Sequence, residues 1–304
     1  MLRFTYTGGA DERIPIEATH ITVAVKVVTA GAFHWHPNIV EVIFRDDVEK
    51  IEERAFACCP NLRRVVMLGV KVVEKNAFEC CKALTDVECG KLEIIRQKAF
   101  YYCKSLGSIN LPSARIVERY AFGNCIVLKD VKFGSKLERI ESFAFTFSAA
   151  FGHYSCLKRI TIPLKDGIFT DDDNAFMGCD ILTNVDLVEG AVLQETIAAL
   201  NLEEWRHDMT EEIDSINRIL PNAPAVGFQA TEKTHVVRMW IGSVLHKIVH
   251  YKAEHRRVLG EAAAALQLVL PHDILMNNVL SFLELPAYSF EGEDETDDSD
   301  KEQD

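Results

Sequence analysis

Apolar positions recur with a fixed spacing along more than half of the chain. An aliphatic residue, three variable positions and an Ala-Phe pair come first, then Cys three residues after the Phe, and then Leu and a short alternating run. The phenylalanines of the complete copies follow one another every 22 or 23 residues, at Phe56, Phe78, Phe100, Phe122 and Phe145, with weaker copies at Phe33 and Phe176. This period predicts a solenoid of about seven stacked rungs, because one rung cannot bury its apolar side alone.

Each copy ends in a strand pattern, such as Leu106 to Leu111, in which the fourth and sixth residues are apolar. Successive side chains of a strand point to opposite faces, so these two face the core and the residues beside them face outward. We expect the outward residues to line the concave face of the solenoid in two columns. The first column is Glu41, Arg64, Asp86, Ser108, Asp130, Arg159 and Asn184, and the second is Ile43, Val66, Glu88, Asn110, Lys132, Thr161 and Asp186.

These motifs resemble the leucine-rich repeat family and its BspA-like class, whose unit has the same Leu-x-x-Ile-x-Leu strand and Ala-Phe-x-x-Cys signature. The resemblance covers residues 19–188, and residues 14–24 look like an N-terminal capping strand. The whole chain is also similar to an expanded set of such proteins in unicellular algae of the diatom type, which carry a helical C-terminal region. The resemblance implies an α/β repeat fold and a non-enzymatic scaffold that binds a protein or peptide on its concave face, without naming the partner.

The charges of the first column are expected to be neighbours across the sheet. Arg64 would lie between Glu41 and Asp86, and Arg159 beside Asp130. One interpretation is self-paired surface charge, in which each exposed pair contributes about 0 to 1 kcal/mol. The other is a mixed polar strip that recognises a partner, and this interpretation depends on the fold more than on the residues.

Five of the nine cysteines occupy one repeat position. They are Cys59, Cys81, Cys103, Cys125 and Cys179. In a solenoid their side chains point the same way, which suits buried free thiols better than disulfides or a tetrahedral zinc site. We therefore predict a structural role for them.

After Val188 the apolar spacing changes to that of helices. Apolar residues from Leu193 to Ile219 predict one amphipathic helix of about 30 residues, ended by Pro221. A second long helix follows, which continues or breaks near Gly260. Together they would form a C-terminal α-helical cap over the open end of the solenoid.

The chain is thus divided into four predicted regions. Residues 1–24 form an N-terminal capping strand region, residues 25–188 the leucine-rich repeat solenoid, residues 189–285 a helical domain or cap, and residues 286–304 a disordered acidic tail.

No catalytic residue, metal site or cofactor is predicted. His246, His250 and Glu254 share one helix face, but Lys247 and the nearby basic residues oppose a bound cation, so we expect a solvated basic face. The run at residues 171–173 lacks the spacing and the Gly of a calcium loop and suits a turn.

Residues 270–283 carry an alternative function. Leu270-Pro271 and the run ending at Phe282-Leu283 are similar to the opening of an F-box, and that resemblance implies an adaptor that delivers substrates to a ubiquitin ligase. It covers about 14 residues and lacks the rest of the module. The other interpretation is a short core helix that packs on the long helices.

Charge and hydropathy favour a protein partner. The net charge of −13 disfavours nucleic acid. The sequence predicts no membrane-spanning helix and no secretory signal, so we expect a cytoplasmic location, with a nuclear one still open. The oligomeric state is not predicted.

Overall fold

A computed structural model of the protein describes residues 2–9, 12–146, 157–170, 174–188, 190–198, 200, 202–222 and 232–267. Within these ranges the chain forms fifteen strands followed by three α-helices. The strands are β1 (Leu2–Tyr6), β2 (Ala18–Val23), β3 (Val27–Val28), β4 (Glu41–Phe44), β5 (Lys50–Ile51), β6 (Arg64–Met67), β7 (Val72–Val73), β8 (Asp86–Cys89), β9 (Ile94–Ile95), β10 (Ser108–Leu111), β11 (Ile116–Val117), β12 (Asp130–Phe133), β13 (Arg139–Ile140), β14 (Arg159–Ile162) and β15 (Asn184–Leu187). The helices are α1 (Gly190–Ala198), α2 (Glu203–Ile219) and α3 (Glu232–Gln267).

The strands form two parallel arrays that follow the repeat. The longer strands pair in the orders β1-β2-β4-β6-β8 and β10-β12-β14-β15, and the two-residue strands pair in the order β13-β11-β9-β7-β5-β3. Pairing joins equivalent positions of successive rungs, so Arg64 lies opposite both Glu41 and Asp86. The predicted solenoid of about seven rungs with a C-terminal helical region is confirmed.

One column of phenylalanine rings runs through the core. The rings at the repeat position are almost fully buried, and neighbouring centroids are 4.6 to 5.9 Å apart. The planes of Phe56, Phe78, Phe100 and Phe122 lie within 8° of parallel between successive rungs. Stacked rings therefore connect each rung to the next and bury the side that a single rung would leave in water.

The cysteine column hydrogen bonds these rungs together. Each thiol donates to the carbonyl oxygen of the phenylalanine one rung earlier, as Cys81 does to Phe56 and Cys103 to Phe78, at 3.1 and 3.2 Å. Cys59, Cys125 and Cys179 make the equivalent bond. All five are buried free thiols, in agreement with the structural role predicted for them.

The turns contain non-glycine residues in the left-handed conformation at two repeat positions. One position is Arg54, Asn76, Lys98, Tyr120 and Phe143, and the other is Trp35, Cys58, Cys80, Tyr102 and Asn124. Such a conformation costs roughly 1–2 kcal/mol for an ordinary residue. At most of these positions the amide donates to a carbonyl of the following rung, as Lys98 does to Arg119 at 3.2 Å. These bonds between rungs offset the cost.

Close approach of neighbouring rungs restricts some positions to glycine. A Cβ atom at Gly134 would overlap the carbonyl oxygen of Pro112, which lies one rung earlier. A Cβ atom at Gly107 would meet no heavy atom within 4 Å. The two glycines therefore differ sharply in what a side chain would cost.

The predicted single helix from Leu193 to Ile219 is wrong, because α1 and α2 are separate helices. Leu200 lies between the two helices, and its carbonyl oxygen accepts a hydrogen bond of 2.6 Å from Arg206 Nη1 of α2. Leu193, Ile197 and Leu200 are all buried. The arginine therefore provides a donor for a carbonyl that belongs to neither helix. The second helix continues through Gly260 as α3.

The described residues fall into two compact units. The first combines residues up to Val188 with Ser215–Trp240, and the second comprises the described residues within 189–214 and 241–267. Each of α2 and α3 therefore contributes to both units, whereas the sequence predicted one helical domain or cap that begins after Val188. The predicted domain boundaries at residues 24, 188 and 285 stay predictions.

Within the first unit, helix residues bind the backbone of the last rung. Lys233 Nζ donates to the carbonyl oxygens of Asp180 and Leu182, at 2.5 and 2.7 Å. The amide of Phe176 donates to Thr234 Oγ1 at 3.1 Å. Asn217 Oδ1 likewise accepts the amide of Val185 at 2.9 Å. These bonds satisfy groups that have no further rung to pair with.

In the second unit the predicted solvated basic face is wrong for two of its members. Lys247 forms ion pairs with Asp208 and Glu212, at 2.9 and 3.0 Å. Lys252 is buried at 8% exposure. Carboxylates of α2 cover this side of α3, a contact that the spacing of α3 alone does not indicate. Hydrogen bonds from Tyr251 and Lys247 lower the pKa of Asp208.

Several predictions fall on residues outside the described ranges. These are the turn at residues 171–173, the F-box-like segment at residues 270–283 and the acidic tail at residues 286–304.

Candidate functional site

The structure places all fourteen residues of the two predicted columns on one solvent-facing side of the longer strands, which we call the long-strand face. Burial alternates along each strand, with Val65 and Val131 fully buried between half-buried or exposed neighbours. The register then carries the columns from rung to rung, as in Ser108, Asp130 and Arg159. The residues are therefore assembled on one surface although they are spread over 146 positions of the sequence.

Arg64 is the centre of a charged cluster at one end of this face. Its guanidinium donates to Glu41 Oε1 at 2.9 Å, to Asp86 Oδ2 at 3.1 Å and to Glu88 Oε1 at 2.5 Å. The hydrogen bonds to Glu88, Glu41 and Asp86 raise the pKa of Arg64 above its already high ordinary value. One cation thus serves three carboxylates, and this end of the face keeps a surplus of negative charge.

Arg159 does not pair as the sequence suggested. It lies opposite Asp130 in the sheet, but its Nη1 atom donates to Asp186 Oδ2 at 3.0 Å. Asp186 is in the second column, two positions along the next strand, and a long guanidinium side chain reaches it diagonally. The side chain of Asp130 makes no hydrogen bond or ion pair with any described residue, and its Oδ1 atom is buried.

The long-strand face is split between β8 and β10. Strands β8 and β10 are adjacent in the array, but no ladder hydrogen bonds join them. All the other neighbouring pairs of longer strands are joined by such bonds. The thiol of Cys89 donates instead to the carbonyl oxygen of Asn110, at 3.2 Å. Sequence periodicity gave no sign of this split, because β8 and β10 carry the same alternating pattern as their neighbours.

An aromatic cluster on the turn side was also missed. The rings of Tyr120 and Phe143 stack at 5.4 Å, and the guanidinium of Arg119 lies 4.6 Å from the Phe143 centroid. Tyr101 and Tyr102 contact each other one rung earlier, with centroids 4.9 Å apart. The available signal was that Tyr120 and Phe143 each stand directly before an Ala-Phe pair, a position that recurs with the period of the repeat.

Within the described ranges no three His, Cys, Asp or Glu side chains converge as a metal site requires. Among the described helices none is long and apolar enough to cross a membrane.

Comparison with known families identifies the fold. The BspA type leucine-rich repeat region matches residues 26–151 and 93–198 in six copies, which together span more than half of the chain. The chain belongs to the BspA-type leucine-rich repeat family. The match covers β3 to β15, the turns between them and the cysteine column, so the leucine-rich repeats include every residue of the long-strand face. No curated protein matches the chain significantly.

Solved leucine-rich repeat structures are similar to part of the chain. A leucine-rich repeat protein from Bacteroides ovatus is 18% identical over 58% of this chain and 47% of its own, with a TM-score of 0.41. The leucine-rich repeat protein of T. pallidum is 22% identical over 56% of this chain and 70% of its own, with a TM-score of 0.35. The chain therefore spans about half the length of the first structure, and at these identities the likeness concerns the fold alone. These bacterial structures do not test the resemblance to algal proteins.

Proposed function

We propose that this leucine-rich repeat protein is a non-enzymatic scaffold that binds a protein or peptide on its long-strand face. The observation that carries the proposal is the surplus of charge and hydrogen-bonding capacity on that face. Its two columns hold five carboxylates and three basic side chains. The side chain of Asp130 forms no hydrogen bond or ion pair with the described residues. If all of these charges were paired with one another, the surface would offer a partner fewer groups to bind.

The net charge of the face indicates the kind of partner. Three carboxylates surround Arg64 alone, and their surplus charge favours a basic segment. Ile43, 39% exposed, adds an apolar contact beside this cluster. The eight described cysteines are all free, which supports a reducing compartment such as the cytoplasm.

The F-box-like alternative has no structural observation in its favour. Residues 270–283 lie outside the described ranges, and the family match ends at residue 198. It is therefore kept only as an arm of the experiment below.

Affinity capture from native lysate tests the proposal with three variants. The face variant changes two basic and two acidic residues of the long-strand face to Ala, namely Arg64, Asp86, Asp130 and Arg159. Its control makes the same change of charges away from that face, at Glu49, Lys71, Arg115 and Glu138, all of which are surface-accessible ion-pair members. The third variant replaces Leu275, Leu280 and Leu283 by Ser.

We expect mass spectrometry to identify a protein that the wild type and the control variant capture and the face variant does not. In the purified complex, hydrogen exchange should then slow at β6, β8, β10 and β12. Equal loss from the face variant and its control would refute the scaffold proposal. Capture of a ubiquitin-ligase adaptor, lost only in the Leu-to-Ser variant while it still folds, would establish the alternative.

A further inference from the structure

A depression lies over β10 and β12, next to the split in the long-strand face. Its volume is about 220 Å³, and its lining residues are Ser108, Ile109, Asn110, Asp130 and Lys132. On the other side of the split, the inward residues of β8, Val87 and Cys89, are 8% and 9% exposed, whereas Val65 and Met67 of β6 are fully buried. The sheet is therefore packed less tightly beside the depression than at β6.

Asp130 is the least compensated group in this depression. Its Oδ1 atom is buried without a hydrogen-bond donor, and an unmet buried acceptor costs roughly 1–3 kcal/mol, more when it is charged. Its Oδ2 atom has no partner among the described residues either, and it is the oxygen that a ligand in the depression can reach. Arg159, which lies opposite Asp130 in the sheet, is bound to Asp186 instead. Asp186 thus acts as a positioning residue, because it holds the guanidinium of Arg159 away from Asp130.

The missing group is a donor with a positive charge. Carboxylate oxygens only accept hydrogen bonds, so the group that is missing beside Asp130 must be a donor. A guanidinium presents five donors in one plane and no acceptor, and it binds a carboxylate through two parallel bonds. Lys132 lies about 7 Å further along the same strand, and its ammonium group is a donor. It suits a backbone carbonyl of the partner next to the bound guanidinium.

We propose that the depression beside Asp130 is a subsite for an arginine side chain of the bound partner. The inference rests on the proposed function, since it names one residue that the partner would present to the long-strand face. The net negative charge of the face favours the approach of this group.

A tripeptide probe tests the subsite without knowledge of the partner. The full chain, labelled for amide NMR, is titrated with N-acetyl-Gly-Arg-Gly amide and with the citrulline analogue, which keeps the shape of arginine but carries no charge. Asp130→Asn removes the proposed contact, and Glu138→Gln removes one negative charge from a surface ion pair away from the long-strand face. Asp186→Asn frees Arg159 to compete for Asp130.

We expect the arginine peptide to shift the amide signals of Ser108, Asn110 and Asp130 saturably. Loss of a charged hydrogen bond corresponds to roughly tenfold or greater weakening, so citrulline and Asp130→Asn should each weaken binding by about that factor. Asp186→Asn should weaken it as well, and Glu138→Gln should leave it unchanged.

Three results would overturn the subsite: no saturable shift, equal binding of citrulline, or equal loss in Glu138→Gln and Asp130→Asn. None of these results would contradict the scaffold proposal if the face variant still loses a captured partner. Conversely, peptide binding at Asp130 combined with equal capture by the face variant and its control would refute the scaffold and keep the subsite.

Discussion

The cysteine column makes a prediction that separates hydrogen bonding from packing. Among the described residues the only donor to the carbonyl oxygen of Phe56 is the thiol of Cys81, at 3.1 Å. Cys81→Ala removes that donor and the buried sulfur, whereas Cys81→Ser keeps a donor at nearly the same place. If the bond matters, serine is the milder substitution, although a hydroxyl is more polar than a thiol.

The magnitude follows from two contributions. An unsatisfied buried carbonyl costs about 1–3 kcal/mol, and loss of the sulfur from a close-packed site adds about 1 kcal/mol. We therefore expect Cys81→Ala to lower the free energy of unfolding by roughly 2–4 kcal/mol, and Cys81→Ser by about 1–2 kcal/mol less than that.

The adjacent rung supplies the control. The carbonyl oxygen of Phe78 accepts the thiol of Cys103 at 3.2 Å, but it also accepts the amide of Cys81 at 3.2 Å. It keeps one donor in Cys103→Ala, so the advantage of serine over alanine should shrink there to well under about 1 kcal/mol.

Urea denaturation of the four variants, followed by far-UV circular dichroism, measures these differences through the midpoint and the slope. Alanine tolerated better than serine at Cys81 would refute the reasoning, since it would show that the thiol acts only as a small apolar group. An equal preference for serine at both positions would also contradict it.

Three further predictions concern the same core and its end. Burial raises the pKa of Cys89 and of Cys125 from about 9 to about 12, so the folded state holds these protons longer than the unfolded state does. Stability should therefore be intact below pH 9 and fall by about 1.4 kcal/mol per pH unit for each thiol between pH 9 and 12, and in urea titrations Cys125→Ser should reduce that slope. Gly134→Ala should lower the thermal midpoint by several degrees because its Cβ overlaps backbone, whereas Gly107→Ala should change it little. Lys233→Met keeps the aliphatic part of the side chain but removes the donor for two carbonyls, so it should destabilise the first unit by about 2 kcal/mol. An unchanged urea midpoint would refute the role given to this lysine.

The repeat could be predicted from the sequence because a single period defines both the length of a rung and the register between neighbouring rungs. Once Phe78 and Phe100 are equivalent, Val65 and Val87 must be equivalent as well, and alternation then decides which side chains face out. Burial in the structure follows this pattern at every longer strand from β4 to β14. The face could therefore be assigned residue by residue before its geometry was known.

The pairing of charges on that face could not be read in the same way. Periodicity gives the Cα neighbours of Arg159, which are Asp130 and Asn184, but not the direction of a side chain that is several bonds long. The diagonal bond to Asp186 depends on rotamers and on competition between carboxylates. The break between α1 and α2 was missed for a related reason, since the spacing of apolar residues continues through it.

The split between β8 and β10 shows that inward and outward positions are not independent. The sixth, inward residue of the strand pattern is Met67, Leu111 or Phe133 on the surrounding strands and Cys89 on β8. The smaller side chain fills less of the space between rungs, and its thiol bonds the carbonyl of Asn110 that a ladder amide would otherwise approach. Backbone amides and carbonyls left without ladder partners can bond donors and acceptors from outside, so the split makes this part of the long-strand face chemically distinct. Under the function proposed above, a core residue that the partner never touches would then help to determine where the partner binds.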